Sequence, residues 1–271
     1  MLVGWRGSPG RDDEPQHIAK GKITTKLLNN LNIKYLVLKE KNDFQKISNL
    51  INFSKKNKIP VALLCKRGVL WGTDKKIQKN NDNLPTREVI ILKILEKINK
   101  NDKIISTTGY TSRELFQLRK IHKKNKGTDF YMVGGMGHSS MVALGVSLKS
   151  KNNIICLDGD GSLLMHMGAL ATIGAFGKKN FKYILLNNSA HESVGGQKTI
   201  ADQIDFSLLS KSLRFKCYFL IKNKENHQKI ITKFLKSSGP SFLEVKIRIE
   251  SMVNLSRPKN FQLIKNQIMK S

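Results

Sequence analysis

Short apolar runs alternate with longer amphipathic stretches along the whole 271-residue chain. Met1–Trp5 reads as a strand already in progress that runs straight into the loop Arg6–Gly10. A polar loop over 12–24 carries His17, and a helix follows over 24–32, with Thr24 or Thr25 as its cap. Residues 35–38 read as a strand, 44–57 as an amphipathic helix and 60–65 as a buried strand. Periodicity is then lost over 66–86, where Lys, Asn and Asp accumulate, and this stretch reads as a linker. After Pro85 the pattern resumes. It predicts a helix capped by Thr86, a strand over 103–107, a helix around 112–119, a strand over 129–133 and a helix over 139–150. Residues 87–250 thus predict a complete parallel α/β domain. Residues 1–65 predict a partial one before it, and 251–271 a basic tail.

The most informative unit is Asn153–Gly196. Two apolar runs, IICL and YILL, end in the polar signals Gly159-Asp160-Gly161-Ser162 and Asn187-Asn188, with one buried helix expected over Leu163–Phe176 between them. A right-handed crossover puts both signals at the carboxyl ends of neighbouring parallel strands, where open α/β sheets bind ligands.

Composition changes this picture little. The formal charge is +28, which invites a nucleic-acid reading, but only nine of the 48 basic residues are arginine, and the lysines spread from Lys20 to Lys270 without interleaved aromatics. A lysine-rich bias explains this better than a phosphate-tracking stripe. Cys65, Cys156 and Cys217 are far apart in apolar surroundings and read as free buried thiols. No apolar run reaches the length of a membrane span and Met1 opens no secretory signal, so a cytoplasmic protein is expected.

Glycines flanking Asp160 permit close backbone approach to a phosphate, while the carboxylate can hold a hard cation and Asn188 can add a neutral oxygen. Few protein oxygens plus phosphate oxygens is what Mg²⁺ takes. An EF-hand loop opening at Asp158 is excluded, because its sixth and twelfth positions would be Leu163 and Ala169, where a glycine and a bidentate acid are needed.

Together, GDGS and the later NN resemble the signature of thiamine diphosphate-dependent 2-oxoacid decarboxylases. The runs DGDGSLLMHMGALATIG, LNNSAHESVGGQ and GWRGSPGRDDEPQH resemble the phosphonopyruvate and sulfopyruvate decarboxylases in particular, over nearly the whole chain. The resemblance implies a parallel-sheet thiamine diphosphate-binding fold and Mg²⁺ held by Asp160, Asn188 and the backbone oxygen of Ala190. It implies contacts to the cofactor from Gly159, Gly161, Ser162, Thr107, Thr108, Gly109 and Gly134, with Met136 as an apolar wedge bending the cofactor so that its own amine can deprotonate its reactive carbon. His191 and His17 are the implied proton carriers; Arg6 is a candidate contact for the substrate's anionic end, and His138 and Glu192 are further candidates. The expected reaction is decarboxylation of a small anionic 2-oxoacid, 3-phosphonopyruvate to phosphonoacetaldehyde and CO₂. 3-Sulfopyruvate is the alternative substrate, and a catalytically incomplete binding subunit the alternative role. Residues 1–65 resemble only the later part of the family's pyrimidine-binding domain. The glutamate that activates the cofactor there is not matched by Glu14 or Glu40, which follow the GWRG motif instead of preceding it. The expectation is therefore a fragment, a misassigned start, or one subunit of a homo-oligomer or two-chain enzyme whose partner supplies that segment.

Overall fold

The computed structural model describes residues 1–38, 43–70, 83–123 and 127–270. It divides into two compact units, Met1–Lys76 and Ile77–Ser271. Residues 71–82 of the stretch read as a linker, and Glu40, lie outside the described residues.

The first unit is a three-stranded parallel sheet in the order β1-β3-β2, built from β1 (Leu2–Gly4), β2 (Lys34–Leu38) and β3 (Val61–Cys65). Ala62 and Leu64 of the central strand are fully buried and pack with Leu28. Two helices accompany it, α1 (Pro15–Asn30) and α2 (Phe44–Asn57). The loop expected over 12–24 is corrected: α1 starts at Pro15, so His17 lies in its first turn. Proline suits that position because its fixed φ is already helical and its missing N–H would have had no partner there.

All strands of the main sheet in the second unit are parallel. It contains β4 (Lys103–Ser106), β5 (Thr128–Tyr131), β6 (Ile154–Gly159), β7 (Phe181–Asn187), β10 (Cys217–Ile221) and β11 (Ser241–Lys246), in the order β10-β11-β7-β6-β4-β5. Every residue of β7 is buried, as a central strand covered on both faces requires. Period-two alternation sorts the apolar side chains into two cores. Ile155, Leu157, Ile184 and Leu186 point to one face, where α3 (Arg87–Lys97), α4 (Tyr110–Ile121) and α9 (His227–Lys236) contribute Ile94, Leu115 and Phe234. Ile154, Cys156, Tyr183 and Leu185 point to the other, against α5 (Ser139–Lys149), α6 (Asp160–Met165), α7 (Ala169–Phe176) and α8 (Phe206–Ser212). Each fully buried Leu or Ile contributes roughly 1.5–3 kcal/mol. The Thr86 hydroxyl accepts the Val89 N–H at 3.2 Å and caps α3 as expected.

The single helix expected over Leu163–Phe176 is also corrected. It is two helices, α6 and α7, because His166 leaves helical backbone (φ −140°, ψ 45°) and its ring packs on His138 at 4.3 Å between centroids. A tertiary contact overrides a continuous apolar pattern there. Residues 251–271, read only as a basic tail, contain α10 (Phe261–Lys270), whose Ile264 and Ile268 reach the two cores. Beyond the main sheet, β8 (Ala190–His191) and β9 (Gln197–Lys198) form a small antiparallel hairpin. No helix of the described residues is long and apolar enough to cross a membrane.

Where α7 runs beside the chain after α8, a Cβ on Gly174 would sit 1.6 Å from the Leu213 carbonyl oxygen. Backbone cannot yield as a flexible side chain does. Gly174→Ala should therefore lower unfolding stability by about 1–3 kcal/mol, the cost of overpacking, in a urea titration of the full chain. A change within about 0.5 kcal/mol would show that the approach is looser than this.

Candidate active site

Three adjacent strands, β7, β6 and β4, end side by side, and their ends deliver Asn187–Ala190, Gly159–Ser162 and Thr107–Thr108 to one cleft. Register makes this unavoidable: Gly159 pairs with Leu186 and Ser106 with Leu157, so the three polar turns emerge at one level.

Asp160 opens α6 and is 2% exposed. Its carboxylate accepts the Thr199 hydroxyl at 2.5 Å, and the backbone N–H groups of Asp160 and Asn188 bond to it as well. Among the described residues no lysine or arginine forms an ion pair with it. Burial pushes its pKa above the ordinary carboxylate range, against the opposing pull of Thr199 and the backbone donors. Charge from His191 also opposes the shift, but it is the smallest of the causes and does not offset the burial.

The Asn187-Asn188 pair divides its labour. Asn187 turns inward, donates its amide to Glu244 Oε1 at 2.9 Å and accepts the Ser189 N–H at 3.1 Å. Asn188 lines the cleft. Between Asn188 and Ala190, Ser189 takes a left-handed backbone (φ 54°), uncommon for a residue with a side chain, and so brings both neighbours to the cleft.

A hydroxyl network floors the site. The Thr107 and Ser162 hydroxyls lie 2.8 Å apart, and Ser162 Oγ accepts the Gly137 N–H at 3.0 Å. Beneath them Asp158, 1% exposed, accepts the Tyr183 hydroxyl at 2.8 Å and its own neighbour's N–H from Gly159 at 3.0 Å. Burial raises the Asp158 pKa, and hydrogen bonds from Ser162, Tyr183, Gly159 and Thr107 oppose it. Asp158 thus anchors the two hydroxyls that face the cleft.

Gly161 explains why the turn carries glycine at that position. A Cβ there would lie 2.5 Å from His191 Nδ1 and 3.4 Å from the Met136 methyl, so the missing side chain lets the histidine and the methionine close over the backbone. Thr107, Thr108, Met136, Gly159, Asp160, Gly161, Ser162, Asn188, Ala190 and His191 all line this cleft. Gly109 and Gly134 do not; Gly109 sits behind it at φ 95°, beside the Ser193 side chain, and Gly134 turns the chain after β5 at φ 69°. His138 packs on His166 and is not among the lining residues. His17 lies in the first unit, where Asp13 accepts from the Arg6 guanidinium and the Gly7 N–H and bonds His17 Nδ1 at 2.8 Å. The Arg6 bonds hold the Asp13 carboxyl far below its ordinary pKa.

Sequence reading missed Arg87, Glu114, Thr199 and Tyr183. Arg87 lines the cleft and bridges Glu114 at 2.9 Å and Glu192 at 2.5 Å. No local motif could have found a pair 105 positions apart.

The donors at the strand ends are oxygens: a carboxylate, an amide carbonyl and a backbone carbonyl. Oxygen donors of this kind suit a small hard cation, and the buried Asp160 carboxylate is what such a cation would neutralise. The hydroxyls of Thr107 and Ser162 and the bare backbone at Gly161 fit a diphosphate beside it.

Comparison with known proteins agrees with this geometry. The description "thiamine pyrophosphate enzyme, C-terminal TPP binding domain" matches residues 107–245, just over half of the chain. A sulfopyruvate decarboxylase subunit beta of Methanococcus maripaludis is 35% identical over 158 residues, 58% of this chain and 82% of that protein. The chain belongs to the thiamine pyrophosphate enzyme family. A phosphonopyruvate decarboxylase of Streptomyces viridochromogenes is 28% identical over 278 residues, 96% of this chain and 68% of that protein. A solved thiamine diphosphate-dependent 4-hydroxybenzoylformate decarboxylase of Rhodococcus jostii RHA1 superposes with a TM-score of 0.49 at 18% identity. It covers 65% of this chain, which spans about a third (35%) of that protein.

Replacing Thr199 by valine keeps its shape and removes the hydroxyl that bonds Asp160. Thr199→Val should cost about 1.5–3 kcal/mol, the worth of a hydrogen bond to a charged group, in urea unfolding of metal-free protein at neutral pH. An unchanged midpoint would mean that the hydroxyl does not hold the carboxylate.

Proposed function

We propose that this chain is the metal- and diphosphate-binding part of a thiamine diphosphate- and Mg²⁺-dependent decarboxylase acting on a 3-substituted pyruvate, with 3-phosphonopyruvate as the first candidate substrate. The observation that carries the reading is the meeting of Asp160, Asn188 and Ala190 with Gly161, Ser162 and Thr107 at the ends of three adjacent strands. The alignment with a phosphonopyruvate decarboxylase over 96% of the chain supports the substrate class.

In this reading Asp160, the Asn188 amide oxygen and the Ala190 carbonyl hold Mg²⁺, which neutralises the diphosphate. The Thr107 and Ser162 hydroxyls and the Gly161 backbone orient the diphosphate. When bound, thiamine diphosphate supplies the electron sink that lets the substrate's carboxylate leave as CO₂. Met136 provides the apolar support beneath the cofactor. His191, held against Gly161 at the cleft wall, carries a proton through its ring nitrogens. His17, whose Nδ1 is fixed by Asp13 within the first unit, is the second proton carrier that the resemblance implies.

A second reading assigns the chain to a two-subunit enzyme, with a partner supplying the pyrimidine-side glutamate. The 82% coverage of a sulfopyruvate decarboxylase subunit beta favours it. Both readings meet in one assay. Full-length chain with Mg²⁺ and thiamine diphosphate should release CO₂ from 3-phosphonopyruvate faster than from 3-sulfopyruvate, and His191→Ala should lower kcat by about 10²–10⁴, the range of a lost general acid–base. Silence with the chain alone that is cured by a chain carrying the pyrimidine-binding segment selects the two-subunit form. Silence in both cases contradicts the decarboxylase reading.

A further inference from the structure

The cleft contains a buried ionic chain that no part of the proposed chemistry uses directly. Arg87, at the start of α3 and 5% exposed, lies between Glu114 of α4 and Glu192 of the loop after β8. Glu192 Oε2, the atom that takes Arg87 Nη2, also accepts the Asn188 side-chain amide at 2.9 Å. Glu114 is fully buried; its Oε1 accepts from Arg87 and from the Met252 N–H, while its Oε2 has no hydrogen-bond partner.

Stability alone does not account for this arrangement. Burying ions costs several kcal/mol apiece, and well-packed apolar residues of similar volume often serve at least as well. Two carboxylates share one guanidinium, and one carboxylate oxygen is left without a donor. What the chain does accomplish is visible at Asn188. An amide side chain has two faces of similar shape, one donating and one accepting, and only its partners decide which points where. The Glu192 carboxylate has acceptors alone, so it takes the NH₂ group. Asn188 Oδ1 is thereby turned the opposite way, where it also receives the Ala190 N–H at 3.1 Å. A carbonyl oxygen has two lone pairs, so an oxygen turned this way can take a cation as well as that N–H.

We infer that Arg87 and Glu192 are positioning residues that lock the Asn188 amide with its oxygen toward the metal site, an inference that rests on the Mg²⁺-binding role proposed above for Asn188. Arg87 pins Glu192, Glu192 pins the amide nitrogen, and Glu114 holds Arg87 from the other side.

The test is thiamine diphosphate uptake by calorimetry on the full chain across a Mg²⁺ series. Glu192→Gln has the same size but offers an oxygen and a nitrogen, so only the Ala190 N–H is left to fix the sense of the Asn188 amide. Outer contacts of this kind are worth about 10–100-fold in metal affinity. The Mg²⁺ concentration for half-maximal uptake should rise by about that factor, while cofactor affinity at saturating Mg²⁺ returns to the wild-type value. Arg87→Lys, which cannot bridge two carboxylates along separate edges, should move half-saturation in the same direction. An unchanged half-saturation in Glu192→Gln overturns the inference, as does a loss of cofactor affinity equal at every Mg²⁺ level, which marks a merely structural role. Asp160→Ala separates the two levels of the argument: if it abolishes Mg²⁺-dependent uptake while Glu192→Gln is unaffected, only the positioning role falls. If Asp160→Ala leaves Mg²⁺ dependence intact, the clamp reading falls and takes this inference with it.

Discussion

A carboxylate buried with no lysine or arginine of the described residues paired to it is the constraint around which the second unit is arranged. Asp160 sits at a strand end in a protein interior, where its charged form is disfavoured, and three kinds of donor converge on it: the Thr199 hydroxyl, its own N–H and that of Asn188. Those donors come from parts of the chain that meet only because β6 and β7 are parallel neighbours and because the β8–β9 hairpin folds back over the turn, with the Thr199 N–H bonded to the Ser189 carbonyl at 2.9 Å. Hydrogen bonds lessen the burial cost without cancelling it. A hard cation at the same place would cancel it, and that couples the fold to the ligand.

The surroundings follow from this. Gly161 must lack a side chain for His191 and Met136 to close over the turn. Ser189 must accept a left-handed backbone for Asn188 and Ala190 to face one cleft. Asp158, one pleat below Asp160, is buried with Tyr183 and carries the hydroxyl floor. The period of two along β6 thus gives its last residues different duties: Asp158 supports and Gly159 turns, and the chain then enters α6 at Asp160.

Sequence alone conveyed whatever is periodic or local. The strand ends, the α3 cap at Thr86, the span of α2 and the cleft-lining residues of the GDGS and NN motifs were all readable, because short apolar runs and glycine turns carry their own physics. Interactions that arise only in three dimensions were not. The break at His166 depends on a ring contact with His138, and the start of α1 at Pro15 lay hidden in a stretch whose polar composition reads as a loop. Arg87 looks like an ordinary first-turn arginine until Glu192 arrives beside it. Gly109 and Gly134, implied by the resemblance, lie at positive-φ turns, next to or near the lining residues Thr108 and Met136 in sequence. The reason Asn187 turns away while Asn188 faces the cleft is the Asn187–Glu244 bond, which again joins distant segments.

The central claim is that the ends of β6 and β7 form one oxygen-lined cation site. It is tested most directly by crystals of the full chain grown with Mn²⁺ in place of Mg²⁺ and thiamine diphosphate, with anomalous scattering locating the metal. The account predicts one strong peak roughly 2.0–2.3 Å from an Asp160 carboxylate oxygen, the Asn188 amide oxygen and the Ala190 carbonyl oxygen, the rest of its shell being phosphate and water. A peak bound elsewhere, or cofactor density at this cleft with no metal between it and Asp160, would contradict it.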